Sequence, residues 1–246
     1  MMDCFQRQME GWTVAFYPEV GSTNDIARTM PEWSVVRAEK QTQGRGRHGH
    51  HWQSSVGGLW ISMVIPAPKP HEKWETLPLT VGYVIVDTLK KMGVQKLRLR
   101  WPNDLMTGDK KLGGILVERF DDETAVIGLG LNIHNRPALS DESLAGHTVR
   151  LADLIPNPPD LETLTMILLR KIRSMQEIIE RESWLVYWEK INASWELNRK
   201  VECELTDQII QGFFTGIDRW GNLLLKDKKG ETLILNATQV RLLKET

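Results

Sequence analysis

Cysteine is scarce in this chain of 246 residues: Cys4 and Cys203 are its only two, and they lie far apart. That excludes a disulfide framework and a cysteine-based zinc site, and both thiols are expected to be free in a reducing compartment. No uninterrupted apolar run reaches membrane-spanning length, and residues 1–11 hold no apolar stretch of the signal-peptide kind, so the cytoplasm is the expected location. An excess of one charge is missing too. Lys and Arg number 31 against 32 Asp and Glu, so no global field draws in nucleic acid and any anion site must be local. There is no Ser/His/Asp or Cys/His nucleophile pattern, no full glycine fingerprint opening a helix, no internal repeat and no low-complexity segment. What is present is ordinary for a globular protein, 41% hydrophobic and 26% charged, with ten tryptophans that mostly serve as core anchors.

Apolar periodicity orders the chain. Trp12, Val14 and Phe16 alternate with small residues as a first strand; Ser22 or Thr23 caps a short helix over 24–30. Strands are expected over 35–39, 59–65, 97–101, 114–120 and 125–133, with an amphipathic helix over 79–91 ending at Gly93. A polar loop covers 135–146, a short helix 149–154, and a long helix runs from Asp160 or Thr163 to about Trp188. Beyond Asn192 the pattern changes to five short strands in about fifty residues, with turns at 218–222 and 226–230. The expected fold class is α+β: a mixed or antiparallel sheet with flanking helices over residues 1–193, then a small C-terminal β-barrel over 194–246.

Four stretches carry chemistry. Gln41-Thr-Gln-Gly-Arg-Gly-Arg-His-Gly-His-His-Trp52 combines glycines, whose backbone N–H groups can cradle an anion, with Arg45 and Arg47, whose guanidinium forks suit phosphate. It reads as a solvated loop, an RNA-binding tract or a phosphate loop. A single occurrence between two strands, closed by a tryptophan, favours phosphate. Arg100-Trp-Pro-Asn-Asp104 reads equally as a strand ending in a turn or as an amide and a carboxylate presented to a site. Lys111 precedes Gly113 and Gly114, which suit a strand that a ligand approaches closely, with a cation beside it. Gly128-Leu-Gly-Leu-Asn132 puts two glycines on one face of an apolar strand, for a ligand or for tight packing. His48, His50 and His51 lack the spacing of a preorganised metal site.

In this order the stretches resemble those of the biotin protein ligases over nearly the whole chain. The resemblance implies an ATP-dependent enzyme that forms biotinyl-AMP and passes biotin to one lysine of a carboxyl-carrier domain of a carboxylase. It implies that Ser22, Thr23, Asn24 and Gln41 bind biotin together with Arg45, Arg47, Lys111, Gly113 and Gly114. Arg45, Arg47, Trp52, Asn103, Lys111 and Asn132 would bind the nucleotide. Lys111 and Arg47 would be catalytic, and Asp104 would hold Mg²⁺. Biotin, ATP and Mg²⁺ are the implied ligands. Neither DNA nor a membrane is an implied partner, and a homodimer fits the family. Where the family carries a further arginine in the loop this chain has His50, and Arg100 stands for a lysine. A first strand near Trp12 leaves no room for the N-terminal repressor domain of some members. A lipoate-type ligase and a catalytically weakened biotin or adenylate sensor are the rival readings.

Overall fold

The computed structural model describes residues 4–67, 71–135 and 147–245. The strands are β1 (Phe5–Met9), β2 (Trp12–Val20), β3 (Ser34–Gln41), β4 (Leu59–Pro66), β5 (Leu97–Arg100), β6 (Asp104–Thr107), β7 (Lys110–Arg119) and β8 (Thr124–Leu131), followed by β9 (Lys200–Glu204), β10 (Ile209–Ile217), β11 (Leu223–Lys226), β12 (Thr232–Leu235) and β13 (Leu242–Glu245). The helices are α1 (Thr23–Ala27), α2 (Leu77–Lys91), α3 (Leu151–Leu154), α4 (Leu161–Arg181) and α5 (Leu185–Ser194). The loop expected over 135–146 falls, after Asn135, outside the described residues.

β1 to β8 form one mixed sheet in the order β1-β2-β3-β4-β8-β7-β6-β5, with β2 and β3 its parallel pair. Two strands escaped the sequence reading. β1 pairs with β2 through a tight turn in which Glu10 and Gly11 both take positive φ. β6 is a short partner of β5 made by the Trp101–Asn103 turn, whose Trp101–Pro102 bond is cis. The long C-terminal helix is two: Ser183, at φ 117°, interrupts it between α4 and α5.

The sheet has two unlike faces. On one, Leu59, Ile61, Met63 and Ile65 of β4 lie beside Ala125, Ile127, Leu129 and Leu131 of β8 and share the main core with α2 and α4. This burial is the principal stabilising term; truncating any one of these large side chains costs about 2–5 kcal/mol. The other face carries a smaller apolar cluster of Val36, Val64 and Val126 under Ala27 of α1. Beside it, that face holds polar groups together with the buried Trp60.

The expected C-terminal barrel is instead a five-stranded antiparallel sheet in the order β12-β11-β10-β9-β13, with no pairing between its outer strands. Its turns follow one design: Asp218 Oδ1 accepts from the backbone of Trp220 and Asn222, and Asp227 Oδ1 from that of Lys229 and Glu231. Apolar side chains of both sheets join one continuous core, and the Trp101 and Trp195 indoles donate across the junction to Gly221 O (2.9 Å) and Leu99 O (2.6 Å).

Candidate active site

The polar face of the large sheet brings most of the singled-out residues together. Strand pairing aligns Trp60, Gly130, Gly114, Asp104 and Arg100 in a row across β4, β8, β7, β6 and β5. The next row on the same face holds Ser62, Gly128 and Leu116, and the one after it Val64, Val126 and Glu118. The two glycines of β8 are required by what lies on them. A Cβ at Gly128 would stand 2.5 Å from Asn24 Oδ1, and one at Gly130 would stand 2.6 Å from the Trp52 indole nitrogen. Of the two β7 glycines only Gly114 faces the site, with Lys111 Nζ 3.5 Å from where its Cβ would be. Gly113 points to the opposite face against Gly130 O and Leu131, so sheet packing and not a ligand demands glycine there.

At one end, Thr23, Asn24 and Ser62 are buried. Gln41 Oε1 accepts from the Thr23 backbone N–H (2.8 Å) and lies 3.0 Å from the Thr23 hydroxyl, while Gln41 Nε2 donates to Ser54 Oγ (2.8 Å). The Thr23 and Ser62 hydroxyl oxygens are 2.7 Å apart, Ser62 Oγ is 2.5 Å from Asn24 Oδ1, and Asn24 Nδ2 donates to Glu118 Oε2 at 2.6 Å. Ser22 is the N-cap of α1 by position, but its hydroxyl makes no capping bond. Arg45 is gripped by two carboxylates, bidentately by Asp25 (2.8 and 3.0 Å) and by Glu118 (3.0 Å). Hydrogen bonding to Asp25 raises its pKa and outweighs burial.

At the other end, Asp104 lies between two cations: Oδ1 is 2.5 Å from Lys111 Nζ and Oδ2 2.5 Å from Arg100 Nη2. Burial by itself would raise the Asp104 pKa, but Lys111 and Arg100 outweigh it and hold the carboxyl below the usual range. Both Asp104 oxygens are thus engaged by cations, and the trio carries a net charge of +1. Among the described residues no cluster of metal-ligating side chains occurs. Lys111 is steadied through its backbone by the 147–149 segment and lies 5.1 Å from the Trp52 ring centroid. The Trp52 indole nitrogen is buried without a partner. Asn103 and Asn132 are buried brackets: Asn103 Nδ2 donates to Ile115 O (2.7 Å), and Asn132 Oδ1 accepts from Asn135 (2.9 Å).

The Arg/Gly stretch spans these two ends as a narrow hairpin. Trp52 N donates to Gly44 O, and Gly46 N to His50 O. Gly44 is obligatory, since a Cβ there would stand 2.5 Å from Trp52 O. At the tip, Arg47–Gly49 form a 3₁₀ turn with His48 at φ 53°. Arg47 turns to the C-terminal sheet and donates to the carbonyls of Ala237 and, at 3.0 Å, Val240; His48 Nε2 lies 3.1 Å from Val240 O. Burial works against the Arg47 charge, and Asp104 supports it from a distance. His50 is exposed.

Sequence reasoning missed Glu118, Ser62, Asp25 and Ser54. Two of them were signalled: Ser62 is the lone polar residue in the run 59–65, and Glu118 shares the period-two face of Gly114.

The family model "Biotin/lipoate A/B protein ligase family" matches residues 21–132, from the helix cap to the end of the glycine strand. The bifunctional ligase/repressor BirA of Escherichia coli is 35% identical over 232 residues, covering 89% of this chain and 71% of that protein. The biotin–[acetyl-CoA-carboxylase] ligase of Mycobacterium tuberculosis is 29% identical over 90% of this chain and 86% of its own length. The structure of biotin protein ligase from Aquifex aeolicus in complex with biotin and ATP superposes with a TM-score of 0.83 at 25% identity, covering 95% and 99% of the two chains. The chain belongs to the biotin protein ligases of the biotin/lipoate ligase family.

Proposed function

We propose that this enzyme condenses biotin with ATP to biotinyl-AMP and pyrophosphate, then transfers biotin to a lysine of a carboxylase carrier domain. The observation that carries the reading is the pairing, on one sheet face, of a buried hydroxyl–amide cluster at Thr23 with a net-positive trio at Lys111. Gly128 and Gly130 lie between them. Two residues along β8 span about 7 Å, which suits a polar ring and a carboxylate joined by an aliphatic chain. Ser22, Thr23, Asn24 and Gln41 hold the ring, and Lys111 faces the carboxylate.

In the first step a biotin carboxylate oxygen bonds to the α-phosphorus as the bond to pyrophosphate breaks. Anion meets anion, and Lys111 supplies the neutralising charge, with Arg100 keeping the trio positive. Asp104 places the ammonium. The orphaned Trp52 N–H, over Gly130, is a donor for the nucleotide. Arg45 is already spoken for by Asp25 and Glu118, so its part is to brace the loop; Arg47 contacts phosphate only by leaving its carbonyls. Mg²⁺ would enter with the ATP substrate. In the second step the carrier lysine's neutral amine attacks the acyl carbon and AMP leaves. We assign residues 1–193 to this chemistry and 194–246 to a second unit packed on the first through a shared core, and place the enzyme in the cytoplasm without DNA or membrane partners.

The test is to incubate the protein with ATP, Mg²⁺ and labelled biotin or lipoate. Biotinyl-AMP and no lipoyl-AMP is expected; lipoyl-AMP alone, or no adenylate, overturns the reading.

A further inference from the structure

We propose that Glu118 is a positioning residue that sets the polarity of the hydroxyl chain at the ring end of the site, making Thr23 an acceptor for ring N–H groups. This rests on the biotin reading and deepens it. The argument is one of proton counting. Asn24 Nδ2 donates to Glu118 Oε2 at 2.6 Å, and the flipped amide would set oxygen against carboxylate oxygen. Asn24 Oδ1, an acceptor only, therefore faces Ser62 Oγ at 2.5 Å, and the single Ser62 proton must go to it. At the far end the Thr23 backbone N–H fixes Gln41 Oε1 as an acceptor at 2.8 Å. The Thr23 hydroxyl thus lies between Ser62 Oγ (2.7 Å) and Gln41 Oε1 (3.0 Å), both able to accept its proton. Its one proton is consumed within the protein whichever it chooses. Only its lone pairs remain for a ligand.

The consequence is specificity. A cyclic urea brings N–H groups to those lone pairs, whereas a dithiolane ring brings none and leaves a buried oxygen unmatched. Glu118→Ala removes the acceptor that fixes the Asn24 amide, since Glu118 Oε2 takes both Asn24 Nδ2 at 2.6 Å and Arg45 Nη2 at 3.0 Å. The Asn24 amide is then free to turn, Ser62 accepts from it, and the Ser62 proton passes to Thr23, filling a lone pair that had been open. Removing the Ser62 hydroxyl as well takes that proton away and reopens the lone pair.

Binding of two probes by wild type, Glu118→Ala, Ser62→Ala and the double variant tests this by titration calorimetry. One probe is biotin; the other is its isosteric analogue with both ring N–H groups replaced by CH₂. Glu118→Ala is expected to lose biotin affinity by about tenfold or more with affinity for the analogue nearly unchanged, Ser62→Ala to keep biotin affinity, and the double variant to recover most of the loss. Parallel losses for the two probes in Glu118→Ala indicate a merely structural role and overturn the inference, as does a loss that the double variant does not recover, or no loss. Failure of wild type to bind biotin sinks the proposed function itself, and this inference with it.

Discussion

The two ends of the site are built by opposite means. The Thr23 end is wired entirely within one sheet and α1: Thr23, Asn24, Gln41 and Ser62 satisfy one another through directed hydrogen bonds, and Glu118 anchors the chain. The Lys111 end has a fixed part, the Asp104–Lys111–Arg100 trio on three adjacent strands. It also has a borrowed part, the hairpin tip, whose Arg47 and His48 rest on carbonyls of the C-terminal sheet. A recognition pocket gains from rigidity, since a displaced acceptor leaves a polar group unmatched. On the proposed reaction the hairpin would cover a reactive mixed anhydride and would have to open and close, for which hydrogen bonds to distant backbone serve better than a salt bridge.

The sharpest way to break this contrast is at the fixed cation. Lys111→Ala should lower single-turnover adenylate formation by about 10²–10³ while biotin binding at the Thr23 end changes far less. Equal loss of both would mean that the ends are not separate. Gly130→Ala comes next. Its methyl would stand 2.6 Å from the Trp52 indole, and overpacking of this kind costs about 1–3 kcal/mol. The KM for ATP should rise roughly tenfold with the KM for biotin little changed; a rise in the biotin KM alone would place Trp52 at the wrong end.

Arg47→Gly tests the borrowed part. It removes both carbonyl contacts, each worth about 0.5–1.5 kcal/mol, and should let adenylate escape several-fold faster, seen as biotinylation of bystander proteins. Release no faster than wild type would show that the hairpin is not the cover. The smallest effect concerns acid. Asp104 has a folded pKa below its unfolded value, so its contribution to stability is full above an unfolded pKa of about 3.9 and is lost as pH falls through the folded value. The gap in urea midpoint between wild type and Asp104→Asn should stay constant from pH 8 to 5 and narrow only in stronger acid. A gap that changes between pH 5 and 8 would mean that Asp104 is not held between its two cations.

Some of the sequence reading rested on local physics and came through. The alternation at Trp12–Phe16, the Asp160 cap of α4 and the aspartate turns of the C-terminal sheet are each decided by neighbours within a few residues. The helix break at Ser183 was illegible, because one residue at positive φ leaves the hydrophobic period around it intact. So was β6, four residues long and defined only by its partners.

What the sequence determined by itself is the kind of chemistry. Arginines among glycines, a lysine beside two more, and glycines spaced by two on a strand have few other uses together, and their order marked the family. Which groups act on which was decided by the tertiary structure. Gly113 and Gly114 are indistinguishable in sequence, yet the pleat sends one to the core and one to the site. Arg45 and Arg47 stand two apart in one motif, yet the first is held by Asp25 and Glu118 and the second by the carbonyls of Ala237 and Val240, some 190 residues on. A charged side chain reads as free in a sequence because its partner comes from another strand, and strand pairing is a long-range property that no local pattern records.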